Sequence, residues 1–112
     1  MRTFAKIDQV DVKKVKEGIE MKVLVWSGTL MMTQVSFKKG AVGDLHSHPH
    51  EQISYVVEGE LIYTVGEEKY HMKAGSVVYV PSNVKHQVEA LADAILLDVF
   101  TPVREDYLPH PT

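Results

Sequence analysis

From Glu20 onward the chain alternates apolar and polar residues in short runs, each closed by a turn signal. Residues 21–26 (MKVLVW) end at Ser27-Gly28, residues 30–37 (LMMTQVSF) at Lys38-Lys39-Gly40, and residues 52–57 at Glu58-Gly59. Residues 61–65 and 69–72 flank Gly66-Glu67-Glu68 as the arms of a hairpin. Residues 76–80 run into Pro81, which has no N–H to give a ladder and so ends a strand. Residues 85–91 and 94–100 complete the set. Alternation with period two puts successive side chains on opposite faces, the signature of a strand with one buried side. Short strands about ten residues apart, with turns between them, predict an all-β sandwich or barrel.

Ahead of Glu20 the pattern is weak. Phe4, Ile7, Val10, Val12 and Val15 suit a short strand or a turn of helix equally well. No segment holds a 3.6-residue apolar period, and no linker, repeat or low-complexity tract divides the chain. One β-barrel domain over residues 1–112 is therefore expected, burying roughly two-thirds of its unfolded surface. A formal charge of −3 without any basic run gives no electrostatic reason to expect nucleic acid. The missing cysteines matter more: with no thiolate, a metal must be held by imidazole, carboxylate or amide groups. The N-terminal stretch MRTFAKIDQVDVKKVKEG is broken by charge every few residues, so it reads as neither signal peptide nor membrane span. Cytoplasmic residence, away from membranes, is the expectation.

The first candidate chemistry lies in residues 40–59, GAVGDLHSHPHEQISYVVEG. His46, His48 and Gln52 share one parity, so an extended strand would put them on one face, with two imidazoles close enough to bind one ion. The plainer alternative is a pair of solvated loop histidines beside Pro49. His50 has the same parity and could be a ligand, a partner of a ligand or a bystander. A second cluster occupies residues 75–86, GSVVYVPSNVKH. Gly75 and Pro81 bracket a strand, and Asn83 sits where a tight turn wants positive φ, which Asn tolerates better than most residues. His86 then opens the next strand, where a third imidazole could complete a site begun by His46 and His48.

These two stretches resemble the paired motifs of the cupin superfamily, the first at Gly40, His46, His48, Gln52 and Gly59, the second at Gly75, Pro81, Asn83 and His86. The resemblance implies a double-stranded β-helix, or jelly-roll barrel, with a divalent metal ion inside. Three positions depart from the motifs: Gln52 replaces the usual glutamate ligand, Asn83 replaces a glycine, and Ala90 replaces an Asn that need not touch metal. Three imidazoles and an amide oxygen are an ordinary set for nickel, zinc, iron, manganese or cobalt. All four groups are neutral, so the ion keeps both positive charges, acts as a stronger Lewis acid and attracts an anionic ligand more strongly. The set also lacks the anionic ligand that helps stabilise oxidised iron. That favours polarising an acidic substrate over oxygen chemistry.

Asp98 is the third feature. A carboxylate in the apolar run Ala94-Ile-Leu-Leu-Asp98-Val-Phe100 is costly unless it is paired or functional. Parity groups Asp98 with Phe100, away from Leu97 and Val99. Arg104 follows Pro102, and a turn could fold it back toward Asp98, either as a structural ion pair or as part of a site. A desolvated Asp can have a raised pKa and serve as acid or base.

Residues 43–52 (GDLHSHPHEQ) and 97–108 (LDVFTPVREDYL) narrow the resemblance to the KdgF family of small cupins, over most of the chain from about Leu30, and the Gln ligand belongs to that family's pattern. This resemblance implies conversion of 4,5-unsaturated monouronates, released from pectin or alginate, from the ring to a linear keto form. It also implies His46, His48, Gln52 and His86 as metal ligands, with Asp98, Phe100 and Arg104 as the catalytic group. The residue chemistry agrees. Arg104 offers a planar fork to a carboxylate, Asp98 can move a proton between the anomeric hydroxyl and C4, and Phe100 can wall the ring from water. Two alternatives compete: a non-catalytic cupin that binds a sugar acid or stores metal, against which Asp98 argues, and a dioxygenase, against which Gln52 argues.

The remaining signals read as structure. Tyr55, Tyr63, Tyr70 and Tyr79 are expected to pack the barrel, with room for one to line the pocket. His71 is expected at the surface, His110 in the tail, and Lys13, Lys14 and Lys16 in a solvated run. Met21, Trp26, Met31 and Met32 are more apolar surface than one small barrel need bury; core packing accounts for most of it, and a homodimer face on the N-terminal strands is the further expectation.

Overall fold

A computed structural model describes residues 1–108; His110, expected in the tail, lies outside the described residues. Strands β1 (Lys13–Lys16), β2 (Ile19–Trp26), β3 (Met31–Phe37), β4 (Glu51–Glu58), β5 (Glu60–Val65), β6 (Glu68–Lys73), β7 (Val77–Val80), β8 (His86–Ala90) and β9 (Ala94–Thr101) follow in order, with short 3₁₀ turns at Ile7–Gln9 and Glu105–Tyr107. A six-stranded sheet, β1-β2-β3-β9-β4-β7, faces a three-stranded sheet, β6-β5-β8, to make the jelly-roll barrel. Every pairing is antiparallel.

The expected runs become strands because their alternating residues turn inward: β4 and β9 switch between buried and more exposed positions at nearly every step. Strand β1 left no such trace. All four of its residues are exposed, so no buried face existed to be read, and backbone pairing to β2 holds it in place. Gly59 joins β4 to β5 with φ of 91°, and a Cβ there would run into the Asp93 carbonyl and Ala94. Only glycine fits.

The inside of the large sheet is layered. Val35, Leu96 and Val56 stand side by side across β3, β9 and β4. They pack with Ile19, Phe37, Leu61 and Val88 into an apolar cluster that closes one end of the barrel. Each fully buried side chain of this kind stabilises the fold by roughly 1.5–3 kcal/mol. One inward step further along the same strands, the row reads Thr33, Asp98, Ser54, and the next reads Met31, Phe100, Gln52.

Met21 and Met31 are buried in a second apolar cluster with Val23, Phe100 and Val103, the core packing expected for most of this group. Their side chains point into the barrel, leaving Val25, Trp26, Leu30 and Met32 around a shallow apolar groove. Tyr55, Tyr70 and Tyr79 are exposed on the outer faces instead of packing the interior, because their parity is opposite to that of the buried set; Tyr63 alone of the four is buried. His71 is at the surface as expected, paired with Glu60. Among the described residues no helix is long and apolar enough to cross a membrane.

Candidate metal centre

Backbone pairing assembles the site. His46 and His86 exchange both main-chain hydrogen bonds in an isolated bridge (3.1 and 2.9 Å), which lays the loop before β4 across the start of β8. Asn83, in the left-handed conformation at φ of 63°, donates its N–H to the His48 carbonyl at 2.7 Å and locks the second loop onto the first. His46, His48 and His86 then offer ligand nitrogens within 4.8 Å of one another. Gln52, on β4, brings Oε1 to 3.0 Å from His48 Nε2. The four residues do meet, though not through the expected shared strand face. His46 and His48 lie in a loop that bends at Pro49, and the bridge to His86 does the grouping.

The tautomers follow from the carbonyls. His46 Nδ1 donates to Asp44 O (2.7 Å), His48 Nδ1 to His50 O (3.0 Å) and His86 Nδ1 to Val84 O (2.9 Å). A carbonyl can only accept, so each proton sits on Nδ1 and each Nε2 presents a lone pair. His86 Nε2 is buried without a partner. His48 Nε2 and Gln52 Oε1 are two acceptors in contact, an arrangement that asks for a cation. Burial pushes His86 down to about 4 and also holds His48 below the ordinary imidazole value, so both rings are neutral ligands at neutral pH. These residues fit a divalent ion in donor type, protonation and outward hydrogen bonding.

Beside this cluster, Asp98 is buried and pushed up to about 6, chiefly by loss of water, with the hydrogen bond from Ser54, the nearby Gln52 amide and the Arg104 charge opposing the shift. Ser54 Oγ donates to Asp98 Oδ1 at 2.5 Å. Of the two readings of Asp98 and Arg104, the structural ion pair does not form. The turn at Glu105–Tyr107 puts Asp106 within reach, and Arg104 forks onto both its oxygens, Nε at 3.1 Å and Nη2 at 2.8 Å. This contact holds the Asp106 carboxyl below its usual range. The guanidinium lies against two aromatic rings, 4.1 Å from the Tyr107 centroid and 5.4 Å from that of Phe100, and its buried Nη1 has no partner. Phe100 meets the His48 ring edge-on at 5.8 Å.

All of this surrounds one cavity of about 360 Å³, lined by His46, Gln52, His86, Asp98, Phe100 and Arg104, and also by Tyr63 and Lys16. His50 is not part of the three-histidine cluster; its Nε2 donates to Val103 O (3.2 Å) and ties the arm bearing Arg104 to the loop of His46 and His48. Lys16, exposed with the rest of its run as expected, also reaches the cavity, where its Nζ meets Asp44 Oδ1 at 3.0 Å. Tyr63 is the one tyrosine of the four that lines the pocket, whereas Ser54 escaped notice as a site residue. The parity of Ser54 with Gln52 was a readable signal, whereas Lys16 carried none.

A family model described as Cupin domain matches residues 33–100. The pectin degradation protein KdgF of Dickeya dadantii is 36% identical over 110 residues, which cover 96% of this chain and 100% of that one. The structure of KdgF from Halomonas sp. superposes with a TM-score of 0.91 at 34% identity, over 96% of this chain and 100% of that chain. An RmlC-like cupin from Shewanella frigidimarina gives a TM-score of 0.92 at 34% identity, over 96% and 97% of the two chains.

Proposed function

The chain belongs to the cupin domain family and, within it, to the KdgF family, and on that footing we propose that it opens and ketonises 4,5-unsaturated monouronates from pectin or alginate in a reaction that needs one divalent ion. The observation that carries this reading is a three-imidazole cluster that opens through His46 and His86 onto a cavity holding a buried carboxylate of raised pKa and a guanidinium with an unused donor. The name of the Dickeya relative, a pectin degradation protein, points to the same class of substrate.

His46, His48, Gln52 and His86 would hold the ion, which when bound supplies Lewis-acid stabilisation of negative charge on substrate oxygens. Arg104 binds the uronate carboxylate, its plane fixed by Phe100, Tyr107 and Asp106. Asp98 takes the proton of the anomeric hydroxyl as the bond from C1 to the ring oxygen breaks and the aldehyde forms. The electron pair released onto the enol system is quenched when Asp98 returns that proton to C4, leaving a ketone at C5 with no net gain or loss of atoms. A pKa near 6 suits a group that must both accept and donate near neutrality. Phe100 orients the ring and keeps water from the enolate. One cupin domain, cytoplasmic residence and a homodimer built on the groove of Trp26, Leu30 and Met32 complete the proposal.

Purified protein mixed with unsaturated galacturonate under nitrogen should abolish the ultraviolet absorbance of the conjugated double bond. Absence of decay with metal supplied would overturn the enzyme reading in favour of a sugar-acid or metal binder, and decay only in oxygen would make it a dioxygenase.

A further inference from the structure

Behind the ligand cluster four buried side chains share a closed set of contacts. Gln52 Nε2 lies 3.0 Å from Ser54 Oγ and 3.1 Å from Tyr63 Oη. Ser54 Oγ in turn lies 2.9 Å from Tyr63 Oη and 2.5 Å from Asp98 Oδ1. Ser54 and Tyr63 are 0% and 1% exposed, so their hydroxyls find their partners chiefly within this set. Each contact lacking a proton would set two lone pairs against each other in a low-dielectric interior.

With Asp98 ionised, counting protons settles the direction of every bond. Four contacts need four protons, and the amide nitrogen brings two while each hydroxyl brings one. Tyr63 therefore donates to Ser54, Ser54 donates to Asp98, and Gln52 donates to both hydroxyls. Turned over, the amide would face those hydroxyls with its oxygen, and two hydroxyl protons would have to serve four contacts. Even a proton on Asp98 leaves that arrangement one short. In the arrangement that closes, Gln52 Oε1 is aimed at the His48 Nε2 side, where an acceptor already waits.

We propose that Ser54 and Tyr63 are positioning residues for the cation: their hydroxyls hold the Gln52 amide with its oxygen presented as the fourth ligand. A Gln at this place needs such a device, because an amide, unlike a carboxylate, has a wrong end to offer. Ser54 further links the same device to Asp98, so the ligand and the acid–base group share one rigid support.

This rests on the metal reading above, and the test separates the two. Affinities for zinc and cobalt are measured by chelator competition in the full chain, and the visible spectrum of the cobalt form is recorded. Tyr63→Phe, which removes only the hydroxyl, and Ser54→Ala should each weaken metal binding by about 10- to 100-fold and shift the cobalt bands. In a Gln52→Ala background, adding Tyr63→Phe should bring no further loss. Val56→Ala, in the apolar end, should lower the melting temperature without moving affinity or spectrum. Unchanged affinity and bands in Tyr63→Phe and Ser54→Ala, with wild-type protein binding tightly, would overturn the positioning role alone. Failure of the wild type to bind either ion would overturn the metal reading and this inference with it.

Discussion

Along β3, β9 and β4, one inward step separates Val35, Leu96 and Val56 from Thr33, Asp98 and Ser54. The core residues of the two rows are about equally buried, with Leu96 and Val56 at 2% and 0% exposure and Asp98 and Ser54 at 7% and 0%. Their energetics are opposite. The apolar row gains from leaving water, whereas the polar row holds a carboxyl that burial pushes up to about 6 and a Thr33 hydroxyl with no partner. One end of the barrel thus carries the stability that the other end spends on reactive groups. Changes at the two ends should fall on different observables.

Asp98→Asn should show the largest effect. It keeps the shape and an oxygen for Ser54, so turnover should fall by about 10²- to 10⁴-fold with metal content unchanged in elemental analysis. Full activity in this variant would make Asp98 structural. Leu96→Ala, one inward step away on the same strand, should do the reverse. It should cost about 2–5 kcal/mol in urea unfolding while the surviving folded protein binds metal as before.

Acidity sharpens the contrast in metal-free protein. The folded value of His86, depressed from 6.5 to about 4, contributes stability that is present above 6.5 and lost as pH falls through 4. Asp98 runs the other way: its raised value contributes stability that is full below 3.8 and lost as pH rises through about 6. Metal-free Asp98→Asn should therefore be more stable than the parent at neutral pH, on the order of 1–3 kcal/mol, with the gain shrinking toward acid. Urea titrations across this range check both signs, and a gain that grows on acidification would contradict the assignment. Lys16→Ala should have the smallest effect. Its exposed pair with Asp44 is worth less than about 1 kcal/mol, and a small rise in KM should fade as salt is added.

Much of this was legible before the structure, because alternation reveals strands that bury one face and motif spacing marks His46, His48, Gln52 and His86. What stayed hidden had physical reasons. Strand β1 buries nothing and therefore has no pattern. The loop geometry of His46 and His48 depends on a bridge to a strand far along the chain. Arg104 chose Asp106 because a local 3₁₀ turn outcompeted a longer reach to Asp98. Tyr55, Tyr70 and Tyr79 are chemically identical to Tyr63, and only their side of the sheet sets them apart.

The central claim is that one cation draws together ligands from both loops and β4. Anomalous diffraction at the metal edge, on crystals grown with excess divalent ion, tests it directly. The account predicts a peak at about 2.0–2.2 Å from Nε2 of His46, His48 and His86 and from Oε1 of Gln52. An ion seated elsewhere, or no peak between those atoms, would contradict it.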